Sequence, residues 1–307
     1  MANLKELSKK EEILSGGHRL CAGCGASIVV RQVLSALDDP VVVANATGCL
    51  EVATTIYPYT SWKSSFIHNA FENAAATISG TEAMFKSLKK QGKINKEIKF
   101  IAFGGDGGTY DIGIQSLSGA LERGHNFVYV CYDNEGYMNT GIQRSSATPR
   151  GAWTTTTPAG KVIPGKTQYR KDLTAVVVAH NIPYVAQASI WRWNDLIEKA
   201  RKAFYTDGPA FINVLSPCHR GWRYKMEDTV KVAKLATQTN FWPLYEVEQG
   251  KWKLNYKTKE RRPIREWMEM QGRFSHLFKP DNEHIIKEIQ EDIDKKWEIL
   301  LAKCEEK

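Results

Sequence analysis

The chain has 307 residues, 42% hydrophobic and 25% charged, a composition that fits a folded protein with a sizeable core and excludes intrinsic disorder. No run approaches the roughly 20 apolar residues needed to cross a bilayer, and the charged N-terminus, residues 1–12, lacks the apolar centre of a secretory signal, so the expected location is cytoplasmic. The formal net charge is +8; no RNA- or DNA-binding signature accompanies it, so nucleic acid is not an expected partner, whereas acidic proteins or phosphorylated ligands are compatible with it.

Residues 1–17 read as a polar leader. Apolar positions recur at helical spacing from Ala26 to Leu37, and Val41–Ala44 is a short buried strand. Phe71 to Leu88 is a helix rich in small residues, and Ile98–Phe103 a strand that ends in glycines. A helix over Ile112–Glu122, a strand over Phe127–Tyr132, a strand over Pro183–Ala188, a helix over Asn194–Tyr205 and a strand over Ala210–Leu215 follow. Strands and helices in alternation imply an α/β fold, a mainly parallel sheet flanked by helices. Ala147–Lys171 has prolines, glycines and no periodicity, as in a functional or partner-contacting loop. After about Trp222 the sheet pattern stops and a basic, aromatic stretch leads to a charged helix over Asn282–Glu305. The division expected is an α/β domain over 1–221 and a C-terminal extension over 222–307, partly helical, that packs along the core or a partner.

Gly104-Gly-Asp-Gly-Gly108 lies between a strand and a helix, and Asn134 stands just past the next strand. In a parallel sheet, ligands bind beyond the carboxyl ends of the strands. Glycines let backbone N–H groups approach a diphosphate, and the following helix start favours its charge. Asp106 can give a carboxylate to Mg²⁺, Asn134 a carbonyl oxygen and Gly136 a main-chain carbonyl, since Mg²⁺ takes octahedral oxygen ligands and shares them with phosphates. Gly-Asp-Gly alone reads more readily as a mere turn; the strand, helix and Asn134 around it favour the ligand site. No Gly-x-Gly-x-x-Gly supports a nucleotide site instead.

Six cysteines in a chain without an export signal are expected as thiols or metal ligands. Cys21 and Cys24 form a Cys-x-x-Cys, Cys49 follows in Ala46-Thr-Gly-Cys49, and Cys218 in Ser216-Pro-Cys218. Four thiolates hold zinc or an iron–sulfur cluster. One pair plus two scattered cysteines is more typical of a cluster than of a zinc ribbon, though Cys49 and Cys218 also read as packing residues. Cys131 lies in an apolar run and reads as core, and Cys304 in the charged tail as incidental.

These segments together resemble the β subunits of pyruvate:ferredoxin oxidoreductase (pyruvate synthase), within the 2-oxoacid:ferredoxin oxidoreductase family. The resemblance rests on Gly17-His-Arg-Leu-Cys-Ala-Gly-Cys-Gly25, Asn45-Ala-Thr-Gly-Cys-Leu-Glu51, Tyr57-Pro-Tyr-Thr-Ser-Trp62, Phe71-Glu-Asn-Ala-Ala75, Gly104–Thr109, Tyr137-Met-Asn-Thr-Gly-Ile-Gln143 and Pro158-Ala-Gly-Lys161. It covers residues 17 to about 220, and the extension matches more loosely. It implies a thiamine diphosphate-binding fold, with Gly105, Gly107 and Gly108 around the diphosphate and Asp106, Asn134 and Gly136 on Mg²⁺. It implies one [4Fe–4S] cluster on Cys21, Cys24, Cys49 and Cys218. Asn139 matches an asparagine beside the substrate, and Thr47 and Gly48 line the same pocket. The implied reaction is reversible oxidative decarboxylation of pyruvate to acetyl-CoA and CO₂, with electrons passed through the cluster to ferredoxin and coenzyme A taking the acyl group. The chain lacks both the glutamate expected against the aminopyrimidine, which this family supplies from another domain or subunit, and a two-cluster ferredoxin run. An α subunit and ferredoxin-like or γ subunits are therefore expected partners, without which the chain is expected to be inactive. The same machinery acting on oxalate, 2-oxoglutarate or another 2-oxoacid, a non-redox thiamine decarboxylase, and a zinc-stabilised nucleic-acid binder are the competing readings.

Overall fold

A computed structural model describes residues 3–305, so Met1 and Ala2 of the expected leader and Glu306 and Lys307 of the expected extension lie outside the described residues. Eight strands form one sheet: β1 (Val41–Ala46), β2 (Ser65–Asn69), β3 (Lys99–Gly105), β4 (Val128–Asp133), β5 (Tyr184–Ser189), β6 (Ala210–Leu215), β7 (Tyr245–Glu248) and β8 (Lys251–Leu254), in the order β2-β1-β3-β4-β6-β5-β7-β8. The first six pair in parallel, and β7 and β8 are antiparallel.

Every residue of β4, β5 and β6 is buried, as expected where helices cover both faces of a parallel sheet. On one face lie the helices Gly25–Leu34 and Trp193–Tyr205, with Val29, Val30, Val33, Leu196 and Ala200 turned onto Val43, Ile101, Val130 and Ile212. On the other lie Ala74–Lys90, Ile114–Glu122 and Leu173–Val178. A third apolar cluster belongs to the extension, where Trp222, Trp242, Trp267, Phe274 and Leu277 pack against the helix Glu283–Glu305.

The expected alternation is present, with three differences. The edge strand β2 reads Ser-Phe-Ile-His-Asn, half exposed, so it carries no apolar run. The sheet does not stop near Trp222: β7 and β8 extend it, and Glu246 of β7 is anchored by Tyr184 Oη–H of β5 at 2.8 Å and by Lys202 at 3.1 Å. The leader is tied down, because Leu14 is buried and pairs with Trp62 while Lys63 N–H donates to the Ile13 carbonyl at 2.9 Å. The segment 147–171 is irregular apart from isolated bridges, Thr154 to Thr157 and Ala159 to Pro164. Among the described residues no helix is long and apolar enough to cross a membrane.

Candidate active site

Strands β1, β3, β4 and β6 are consecutive neighbours in the sheet. Adjacent strands stand about 4.8 Å apart, so four of them span roughly 14 Å. Each ends in a sequence-predicted segment: Thr47-Gly48-Cys49 after β1, Gly105–Gly108 at the end of β3, Asn134–Gly136 after β4 and Cys218 after β6. Parallel topology therefore gathers at one edge residues that are remote along the chain.

One narrow cavity there is lined by Thr47, Gly48 and Cys49, by Gly105, Gly107 and Gly108, and by Asn134, Gly136 and Asn139. The glycines are required by space. A Cβ on Gly107 would stand 2.3 Å from the Tyr137 ring, and one on Gly108 2.8 Å from the Phe71 carbonyl oxygen. Gly107 opens a π-helical turn, Gly107–Asp111, whose first backbone N–H groups have no partner within the helix.

Asp106 is fully buried and accepts the Asn134 N–H at 3.2 Å and the Ser145 hydroxyl. The outer amide oxygen of Asn134 faces only acceptors, 2.8 Å from the Gly136 carbonyl oxygen and 3.0 Å from Asp106 Oδ1. Without a cation the amide must turn its nitrogen inward. Turned the other way, the amide oxygen would stand beside those two oxygens at roughly the 2.9 Å edge of an octahedron of Mg²⁺ ligands. A carboxylate, an amide and a main-chain carbonyl clustered in this way are a donor set that suits Mg²⁺. Burial, and then the charge of Asp133, hold the Asp106 carboxyl well above the usual range in the bare chain; a bound cation reverses that preference. Asp133 is neutralised by Arg170 at 2.9 Å.

Thr47 donates its hydroxyl to the Asn69 carbonyl at 2.8 Å and lies 3.0 Å from His68 Nε2. Its proton is thereby used, so the imidazole is the donor of that pair. Asn139 is exposed at the cavity mouth. The buried Tyr132 hydroxyl has no hydrogen-bond partner among the described residues and would stand 2.9 Å from a Cβ on Gly48.

The Cys21–Cys24 loop precedes the helix Gly25–Leu34 and presses on the Cys218 loop. Gly25 N–H donates to the Pro217 carbonyl at 3.3 Å, and a Cβ on Gly25 would meet the Ser216 carbonyl carbon at 2.7 Å. The Gly221 N–H donates to Cys218 Sγ at 3.4 Å, the kind of bond that tunes a cluster. Burial pushes the Cys24 thiol up to about 11, with Cys218 and Cys21 adding to it, and the Cys49 thiol up to about 12, with Cys218, Cys24 and Cys21 adding. Burial thus keeps the Cys24 and Cys49 thiols protonated in the bare chain, a preference that a bound metal ion would reverse. Among the described residues the side chains do not close into a ready ligand set of three or more His, Cys, Asp or Glu. Cys131 is fully buried in β4, while Cys304 packs partly against the second core cluster instead of projecting freely.

A second, roomier cavity of about 240 Å³ lies between the C-terminal helix and the sheet, near Arg170, Phe241 and Trp297. None of the sequence-predicted residues lines it. The site residues that sequence reasoning missed are Tyr132, Glu135, Trp222 and Arg273, whose contacts depend on the folded chain.

Residues 46–214 match the family "Thiamine pyrophosphate enzyme, C-terminal TPP binding domain". The chain is 53% identical over 304 residues to the pyruvate synthase subunit PorB of Thermotoga maritima, covering 97% of this chain and 94% of that protein. It is 44% identical over 297 residues to the ketoisovalerate oxidoreductase subunit VorB of Pyrococcus abyssi, covering 96% and 94%. Among solved structures, the 2-oxoglutarate:ferredoxin oxidoreductase of Magnetococcus marinus, determined with 2-oxoglutarate, coenzyme A and succinyl-CoA bound, matches with a TM-score of 0.54 at 21% identity over 70% of this chain and 76% of that one, a likeness of fold.

Proposed function

Because the chain belongs to the family of the pyruvate synthase subunit PorB within the thiamine-dependent 2-oxoacid:ferredoxin oxidoreductases, we propose that it is the β subunit that anchors thiamine diphosphate while pyruvate is oxidatively decarboxylated to acetyl-CoA and CO₂ and ferredoxin is reduced. The observation that carries this reading is the clustering of the Asp106 carboxylate, the Asn134 amide and the Gly136 carbonyl beside the glycine turn.

In this reading Asp106, Asn134 and the Gly136 carbonyl hold Mg²⁺, and the backbone of Gly105, Gly107 and Gly108 receives the diphosphate. Bound there, the thiazolium supplies an electron sink for the carbon that loses CO₂. Gly48 keeps the floor of the pocket open. Thr47, its proton committed to Asn69, offers the substrate a fixed acceptor and its methyl group. Asn139 at the mouth offers an amide N–H to the reacting oxygen. Cys21, Cys24, Cys49 and Cys218 hold one [4Fe–4S] cluster beside the pocket, supported by the contact between the Cys21–Cys24 loop and the Cys218 loop and by Cys49 lining the cavity itself.

The α subunit and ferredoxin-like or γ subunits complete the site and carry electrons outward, ferredoxin and coenzyme A being the other participants. The proposed division is residues 1–221 as the cofactor domain and 222–307 as an extension against core or partners, in a cytoplasmic enzyme. The ketoisovalerate relative supports a second reading, the same chemistry on a branched 2-oxoacid. Anaerobic co-purification with partner subunits, followed by turnover with pyruvate, 2-oxoisovalerate, 2-oxoglutarate and oxalate, separates them. Pyruvate is expected to give the highest kcat/KM; preference for another acid rejects the pyruvate assignment.

A further inference from the structure

Glu135 stands between Asn134 and Gly136 with φ of 64°. A left-handed backbone is uncommon for a residue of this kind and persists where the surroundings over-determine it. Here they hold its N–H, its carbonyl and one carboxylate oxygen by hydrogen bonds, while the other carboxylate oxygen lies 3.9 Å from Arg170 Nη1. The Glu135 N–H donates to Asp133 Oδ1 at 3.0 Å, its carbonyl accepts the Thr148 hydroxyl at 2.7 Å, and its buried carboxylate accepts from Arg273 Nη2 at 2.6 Å. Arg273 belongs to the extension, 138 positions along the chain, and is itself buried. Its Nε donates to Gln271 Oε1 at 2.9 Å, and its guanidinium lies 4.0 Å over the Trp222 ring. The Trp222 indole N–H then donates to the Asn134 carbonyl at 2.7 Å. Trp222 closes the helical turn His219–Trp222 that starts at Cys218.

We propose that Trp222 and Arg273 are positioning residues that hold the Asn134–Glu135–Gly136 turn in its cation-binding shape, so that the C-terminal extension sets the Mg²⁺ affinity of the thiamine site. This rests on the reading that the turn holds Mg²⁺. A buried ion pair is a weak source of net stability but can select one conformation, and the conformation selected here places the Asn134 amide 2.8 Å from the Gly136 carbonyl oxygen and 3.0 Å from Asp106 Oδ1. Partners one layer behind metal ligands change affinity roughly 10- to 100-fold when removed.

The test measures thiamine diphosphate retained by the complex of this chain with its partner subunits as Mg²⁺ is titrated. Trp222→Phe removes the indole N–H and keeps an aromatic ring; the pair Glu135→Gln with Arg273→Met removes both buried charges together. Each is expected to raise the half-saturating Mg²⁺ concentration roughly 10- to 100-fold, with capacity at saturating Mg²⁺ and the iron content of the complex unchanged. A half-saturating Mg²⁺ within twofold of the parent in both variants overturns the proposal. So does a parallel loss of capacity and iron, which marks a general loss of fold. If the parent complex shows no Mg²⁺-dependent retention, the thiamine reading fails, an outcome distinct from the other two.

Discussion

The guanidinium of Arg170 lies 2.9 Å from the carboxylate of Asp133, and neither side chain is freely exposed. Arg170 also donates to the Tyr110 hydroxyl at 2.7 Å and lies 4.5 Å over the Trp242 ring. This cation neutralises the carboxylate that precedes Asn134 and so permits two acidic side chains, Asp133 and Asp106, near one sheet edge. Arg170→Met leaves a buried carboxylate without its main partner, which typically costs about 3–5 kcal/mol. Chemical denaturation is expected to show that loss; a change below about 1 kcal/mol means the pair is dispensable.

The cysteines divide by place in the fold. Cys218→Ala removes a thiol beside the Cys21–Cys24 loop, whereas Cys131→Ala and Cys304→Ala alter a strand interior and a helix end. Iron and acid-labile sulfide are expected to fall sharply in the first and to stay at parental levels in the other two. Parental iron in Cys218→Ala rejects the proposed ligand set.

Asn139 is exposed, so its substitution leaves the fold intact. If its amide meets the developing charge on the substrate oxygen, Asn139→Ala lowers kcat on the order of 10²-fold, with little change in melting temperature. Unchanged kcat removes Asn139 from the chemistry.

Glu246 fixes the extension to the main sheet. Burial alone lifts its carboxyl, but hydrogen bonds from Tyr184, Lys202, Asn255 and Lys253 outweigh this and bring it to about 2. A carboxyl lowered by folding contributes stability above its unfolded value, about 4.3, and loses it as pH falls toward the folded value. Acid unfolding monitored by tryptophan fluorescence is expected to steepen between about pH 4.3 and 2, and Glu246→Gln flattens that limb. An identical acid limb in the variant contradicts this anchoring role.

Asp106 and Asn134 were readable in the sequence because a glycine turn after a strand and an asparagine after the next strand mark adjacent strand ends in a parallel sheet. Strand β4 was readable because both faces are buried, which demands a continuous apolar run. Strand β2 was not, since an edge strand of Ser, His and Asn carries no such run. Strands β7 and β8 alternate charged and aromatic residues in a region whose composition suggested surface. Trp222 and Arg273 were illegible for another reason: their partners Asn134 and Glu135 lie 88 and 138 positions away, and no local pattern records such a contact.

The measurement that bears most directly on the cavity at the ends of β1, β3 and β4 is Mg²⁺-dependent thiamine diphosphate binding by complexes carrying the parent chain and Asp106→Asn, with iron quantified on the same samples. Loss of binding in the variant, with iron retained, is the predicted result. Parental cofactor affinity in Asp106→Asn would contradict the account, because the cation would then be held elsewhere.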